Sequence, residues 1–159
     1  MIHIRHMTKD DREEILEMMR TFYASPAVST DGSEEIFASD FYECISGSPY
    51  LEGFIIAEDE KTAGYGMLAK SFSTEFGKPC VWIEDLYLKS EYHGKGYGSA
   101  FLQFVAGRYC GALLRLEVEP ENEKAVAAYY RNGFDTLPYM EMKKDATPES
   151  LRCCGHKAK

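Results

Sequence analysis

The sequence predicts an α+β fold built on a mixed central sheet. Three observations carry that expectation. Short β-prone runs and longer amphipathic runs follow one another in the order βααβββαβαβ. The stretch Trp82–Leu102 reads as strand, glycine loop, helix, because bulky residues give way to three glycines at alternate positions and then to Phe101, Leu102, Phe104 and Val105 at helical spacing. The chain has 159 residues, 45% hydrophobic and 28% charged, which suits one globular domain.

Taken in order, Ile2–Arg5 alternates as a first strand. Thr8-Lys9-Asp10-Asp11 is a capping box with Asp in place of the usual Glu, and Asp10, Asp11, Glu13 and Glu14 load the first helical turn with favourable charge. Ile15, Met18, Met19 and Phe22 share one helical face, and Ser25-Pro26 stops that helix. Ser33 caps a second helix carrying Glu34, Glu35, Ile36, Phe37, Phe41 and Ile45, ending near Gly47. Gly53–Glu58 and Ala63–Lys70 are strands, the second weakened by Gly64 and Gly66. The helix after the glycine loop runs to about Tyr109, and Ala112–Val118 is a buried strand. Asn122 caps a helix from about Glu123 to Asn132, which Gly133 ends. Phe134–Lys143 is expected to form a last strand or two short ones around Pro138. The domain is therefore residues 1–144, with 145–159 a polar tail.

The glycine loop is the informative feature. Glycines allow amide groups to converge on one point, and a helix N-terminus behind them adds partial positive charge, so the loop is a candidate phosphate site. A plain turn is the bland alternative. A P-loop is excluded, because no Gly-Lys is followed by Ser or Thr in frame. A nicotinamide-dependent Rossmann enzyme is nearer, with Gly94-x-Gly96 and Glu117 as the distal acid, but Ser99 stands where its third glycine belongs.

His93-Gly94-Lys95-Gly96-Tyr97-Gly98 resembles the acyl-CoA pyrophosphate loop of the GNAT superfamily of N-acetyltransferases, with His93 in place of Arg or Gln. A second block, Asn122 to Phe134, resembles that family's later motif of Asn, Ala, Tyr and Gly-Phe. The resemblance covers most of Ile2 to Lys143. It implies a mostly antiparallel sheet flanked by helices, in which two parallel strands, here Trp82–Leu88 and Leu113–Val118, splay to hold acetyl-CoA. It implies cofactor contacts from Leu86, Tyr87, Leu88, His93, Gly94, Lys95, Gly96, Tyr97, Gly98, Ser99, Asn122 and Tyr129. A catalytically silent acyl-CoA-binding domain is the alternative within the same fold.

The implied reaction is attack of a neutral amine on a thioester. An alkylamine costs roughly 4.6 kcal/mol to deprotonate at pH 7, so a base helps. Glu84 is the preferred base. Asp85 alternates to the other sheet face, so one of the two carboxylates faces inward or sits at a bulge. Tyr129 matches the family tyrosine that protonates the departing thiolate, with Tyr130 its neighbour about 100° round the helix. A backbone amide near Leu86 would hold the oxyanion. Asp31, Glu34, Glu35 and Asp85 are the expected substrate-binding carboxylates.

Net charge is −8, which disfavours nucleic acid as a partner and favours a cationic amine, small or peptide-borne. The longest apolar run, Ala125–Tyr130, is far short of a membrane span, and the first ten residues hold no signal-peptide core, so a cytoplasmic protein is expected. Five cysteines show no disulfide spacing. Cys44, Cys80 and Cys110 are expected as reduced core or near-core thiols, and Cys153-Cys154-Gly155-His156 has poor metal geometry, so no metal is expected. A homodimer is compatible with the sequence.

Overall fold

The structure, a computed structural model, describes residues 1–144. Five strands form one sheet in sequence order: β1 (Ile2–His6), β2 (Leu51–Glu58), β3 (Lys61–Ser73), β4 (Lys78–Leu88) and β5 (Leu113–Leu116). The first three pairings are antiparallel and β4–β5 is parallel. Four helices flank the sheet: α1 (Arg12–Tyr23), α2 (Glu34–Ile45), α3 (Tyr97–Arg108) and α4 (Glu123–Arg131). One parallel pair at the end of an otherwise antiparallel sheet excludes the Rossmann reading, which needs a mostly parallel sheet.

Each sheet face has its own core. Ile15, Leu16, Met18 and Met19 of α1 and Phe37 and Phe41 of α2 pack on Ile55, Ala57, Tyr65 and Met67. Phe101, Leu102 and Val105 of α3 pack on Phe54, Ile56, Leu68, Val81 and Ile83. The glycines of β3 exist for close approach. A Cβ on Gly66 would lie 2.2 Å from the Phe101 ring, and one on Gly64 would lie 2.0 Å from the Tyr87 carbonyl oxygen.

The local signals formed as expected. The Asp11 carboxylate accepts from the Thr8 amide at 2.7 Å and from Arg5 at 2.7 and 2.8 Å. Ser33 Oγ accepts from the Ile36 amide at 3.2 Å, and Asn122 Oδ1 from the Ala125 amide at 3.3 Å. Gly133 takes a φ of 85°, which permits the helix to end there.

Two expectations are corrected. Residues Phe134–Lys143 form no strand. Pro138 has no amide to give a ladder, and the segment is tied by side chains instead: Tyr130 Oη and Thr136 Oγ1 are 2.6 Å apart, and Tyr139 donates to Glu75 at 2.6 Å. Met140 and Met142, both 87% exposed, have no sheet face to bury against. Cys110 is exposed at the turn after α3, whereas Cys80 is buried and Cys44 half-buried. Cys153, Cys154 and the expected tail 145–159 lie outside the described residues.

Candidate active site

The site begins where β4 and β5 part. Their register runs from Cys80↔Leu113 to Ile83↔Leu116 and stops there, while β4 continues to Leu88. Beyond Ile83 the β5 side of β4 has no strand partner among the described residues, so backbone groups of Glu84–Leu88 are open there to a ligand laid alongside.

At the same point β4 bulges against β3. Met67 pairs with Asp85 and Leu68 with Ile83, leaving Glu84 as the extra residue. The bulge inverts the alternation: Val81 and Ile83 face α3 before it, and Leu86 and Leu88 face α3 after it. Asp85 therefore falls on the α1–α2 face with Met67, beside Glu84. Alternation alone would have put the two on opposite faces; the bulge, which the sequence reading had allowed for, puts them on one.

Both carboxylates line a cleft of about 400 Å³. Its wall is Phe22 and Tyr23 of α1, Ala27–Thr30 of the following loop, and Asp40 of α2. Glu117 and Glu119, just beyond β5, close the other side. Five carboxylates thus line it, and among the described residues no lysine or arginine does. Asp85, 5% exposed, has two phenol partners: Tyr65 donates to Oδ2 at 2.8 Å and Tyr23 to Oδ1 at 3.2 Å. Burial pushes its carboxyl up to about 6, against the pull of the two hydroxyls. Burial also raises Glu84, with Glu141 and Asp40 adding repulsion, and raises Asp40. Glu117 is pushed up to about 7, mainly by a hydrogen bond shared with Glu141.

Of the other expected acceptor residues, Asp31, Glu34 and Glu35 are exposed and do not line this cleft. Glu34 is held instead by Arg20 at 2.5 and 2.9 Å, across the two helices. Asp40, Glu119 and Tyr23 are cleft residues that the sequence reading missed, and Glu117 had entered it only as a Rossmann acid. Asp40 lies within the second helix already tied to the acceptor pocket, one turn beyond the first-turn acids; that was its signal.

The glycine loop leads from β4 into α3. Gly94 and Gly96 take φ of 73° and 86°, and a Cβ on either would meet nothing within 4 Å. The α3 N-terminus has no side-chain cap, so its first amides are available to an anion. The arrangement fits a pyrophosphate. The side chain of Tyr97 is turned away from the loop, because its buried ring packs edge-on against Tyr92 and its hydroxyl donates to Glu58. Ser99 Oγ accepts from Asn132 at 2.9 Å, joining α3 to the end of α4. His93 Nε2 lies 2.8 Å from the Leu88 carbonyl oxygen, turning the ring toward β4, and Lys95 Nζ sits 5.1 Å from the Tyr92 ring.

Tyr129 of α4 lines a second cleft, of about 1130 Å³, along β5. The two clefts meet at Glu117 and Glu119. The Tyr129 ring packs edge-on against Phe134, and burial raises its phenol, so it keeps its proton near neutrality. Tyr130 is 53% exposed and engaged with Thr136. Asn122 caps α4 two residues after Pro120, which lines this cleft, and does not itself line it. Among the described residues no group of three His, Cys, Asp or Glu side chains is arranged to hold a metal ion.

A splayed parallel pair beside an uncapped helix and a glycine cradle can be set against known proteins. The profile of the Acetyltransferase (GNAT) family matches residues 13–134. The chain belongs to that family. It is 30% identical over 152 residues to a thialysine N-epsilon-acetyltransferase of Bos taurus, covering 88% of each chain. It is 26% identical over 140 residues to a spermine/spermidine N(1)-acetyltransferase of Bacillus subtilis, covering 84% of this chain and 87% of that one. Among solved structures, a possible acetyltransferase from Clostridium difficile 630 superposes with a TM-score of 0.78 at 17% identity, over 92% and 98% of the two chains. The aminoglycoside N-acetyltransferase AAC(6')-Iy in complex with CoA superposes with a TM-score of 0.70 at 15% identity, over 92% and 96%. These last two show the shared fold. The protein is an acyltransferase, a GNAT N-acetyltransferase, of a family that uses acetyl-CoA. No helix among the described residues is long and apolar enough to cross a membrane.

Proposed function

We propose that this enzyme acetylates a primary amine on a small molecule bearing at least one further positive charge, by direct attack within a ternary complex. The observation that carries this reading is the cleft at the strand splay, lined by five carboxylates and no cationic side chain among the described residues. Such a cleft raises the local concentration of cations and repels anions. The relatives named for spermine/spermidine and for thialysine act on molecules with more than one amine, which agrees with that chemistry.

Acetyl-CoA supplies an activated thioester when bound. Amides of Gly94–Ser99 would hold its pyrophosphate, and the open edge of Leu86, Tyr87 and Leu88 its pantetheine arm. Glu84, on the bulge where that edge begins, takes the amine proton. Its raised carboxyl pKa brings it nearer the amine's and makes it a stronger base than a solvated Glu. Tyr129 Oη keeps its proton and delivers it to the leaving sulfur. Asn122 caps α4 and so orients Tyr129.

The test is a panel of amines at matched acetyl-CoA: spermidine, thialysine, a neutral-bodied monoamine and an amino acid bearing an extra carboxylate. The expected order of kcat/KM follows net positive charge. The lead of the polyamine should shrink between low salt and 0.5 M salt, because steering is screened. An acidic amino acid turned over fastest would overturn the reading.

A further inference from the structure

The phenol that holds the floor of the acceptor cleft has no role in the reading so far. Asp85 is gripped by two tyrosines of different kinds. Tyr65 is completely buried in β3, with its ring against Phe22 and Tyr87 at 6.5 and 5.9 Å. Tyr23 is the last residue of α1 and itself lines the cleft, at the point where the chain leaves the helix for the loop Ala27–Thr30. Its ring rests on Phe37 of α2 at 5.1 Å and on Phe22 at 5.5 Å. The loop closes back onto the same pair. Gly32, with φ of 65°, passes so near that a Cβ would lie 2.4 Å from the Phe37 ring and 3.2 Å from the Tyr23 ring. One side chain therefore meets the loop at Gly32, α2 at Phe37 and the carboxylate of β4.

We infer that Tyr23 is a positioning residue for the acceptor: its hydroxyl holds Asp85 Oδ1 in a fixed direction and registers the Ala27–Thr30 wall against the carboxylate that receives the acceptor's positive charge. The inference rests on the acetyl-transfer reading for its substrate, but the Tyr23–Asp85 contact exists in the resting protein. The charged and titratable groups around Asp85 are Tyr23 of α1, Asp40 and Cys44 of α2, Tyr65 of β3 and Glu84 of β4, with Glu117 and Glu119 across the cleft. All the carboxylates among them disfavour a charged Asp85. The two hydroxyls favour it, and only Tyr23 can be altered without disturbing a fully buried ring.

Tyr23→Phe keeps every ring contact and removes one donor. With that donor gone Asp85 binds its proton more tightly, so it becomes neutral over a pH range where the wild type is charged. The expected result is a KM for a diamine raised about ten-fold near pH 6.5, returning close to wild type by about pH 8.5 as Asp85 ionises again. The kcat and the KM for acetyl-CoA should stay within about two-fold. In an Asp85→Asn background the same substitution should add nothing to KM. A KM raised equally at every pH, or additive effects in the double variant, would overturn the inference. A carboxyl-carbon NMR titration of Asp85 without any substrate separates this from the reaction itself. A titration midpoint moved upward in Tyr23→Phe supports the inference even if no amine is turned over, which would count against the acetyl-transfer reading alone. An unmoved midpoint in an enzyme that turns over diamines overturns the role of Tyr23 alone.

Discussion

Asp11 and Asp85 are both buried, at 9% and 5% exposure, and their surroundings differ in one respect. Asp11 has a cation. Arg5 meets it with two parallel hydrogen bonds, and the Thr8 amide and hydroxyl take further lone pairs, so its carboxyl is held down at about 2. Among the described residues Asp85 has only phenols as hydrogen-bond partners, and burial prevails, so its carboxyl rises to about 6. A buried carboxylate with a fork of donors joins β1 to the start of α1. A buried carboxylate with no cation at its hydrogen-bonding distance leaves its charge for something that enters the cleft. On the proposed reading, that contrast separates the corner of the molecule that serves stability from the corner that would serve a ligand.

The largest effect expected on this comparison is at Glu84, which shares the cleft with Asp85. Glu84→Gln should lower kcat by about 10²- to 10⁴-fold and leave the melting temperature nearly unchanged, since Glu84 sits on the bulge at the cleft wall and belongs to neither apolar core. The wild-type rate should rise with pH through a value above the ordinary glutamate range, because the Glu84 carboxyl is raised. Activity that survives Glu84→Gln would move the base to Asp85 or to a water. Tyr129→Phe should come next, with kcat down roughly 10- to 1,000-fold and acetyl-CoA binding retained. If Tyr130→Phe gives that loss instead, the tyrosine that the structure turns outward is the acid.

The two aspartates should then respond to pH with opposite sign. Asp85 has a folded pKa raised from 3.8 to about 6, so its stabilising share is complete below about pH 4 and is lost as pH rises through 6. Asp85→Asn should consequently raise thermal stability at pH 7.5, by up to about 3 kcal/mol, and change it little at pH 4. It should also raise the KM for a cationic acceptor. Asp11 has a folded pKa lowered from 3.8 to about 2, so its share is present above pH 4 and is lost as pH falls through 2. Asp11→Asn should lower stability at pH 7.5 by about 1–2 kcal/mol, less than the full shift because Arg5 is half exposed, and should leave kcat alone. Melts of both variants across pH 3–8 check these together. Curves of the same slope would break the comparison.

Much of the scaffold could be read from the sequence because its causes are local. A cap at Ser33 or Asn122 needs only an oxygen two or three residues before an amide. A positive φ at Gly94, Gly96 or Gly133 needs only a missing Cβ. The glycine loop, the helix behind it and the last helix followed from such rules, as did five strands of the sheet. The expected sixth did not form. Alternation in Phe134–Lys143 cannot supply a partner edge, Pro138 removes an amide, and the segment settled through hydroxyl contacts to Thr136 and Glu75.

The composition of the cleft was decided in tertiary structure. Whether Glu84 or Asp85 faces inward depends on the strand opposite, because a bulge is a property of two strands in register. Met67 and Leu68 of β3 take Asp85 and Ile83 as partners, and so both carboxylates share a face. Asp31, Glu34 and Glu35 looked equivalent to Asp40 as acids of one segment. Packing of Phe37 and Phe41 on the sheet turned Asp40 toward the cleft, and Arg20 drew Glu34 to the outside. The sequence by itself determined which local conformations the backbone takes, since those depend on neighbours a few bonds away. Which charges meet was left to the tertiary structure, since that depends on register and helix rotation set by apolar side chains carrying no charge at all.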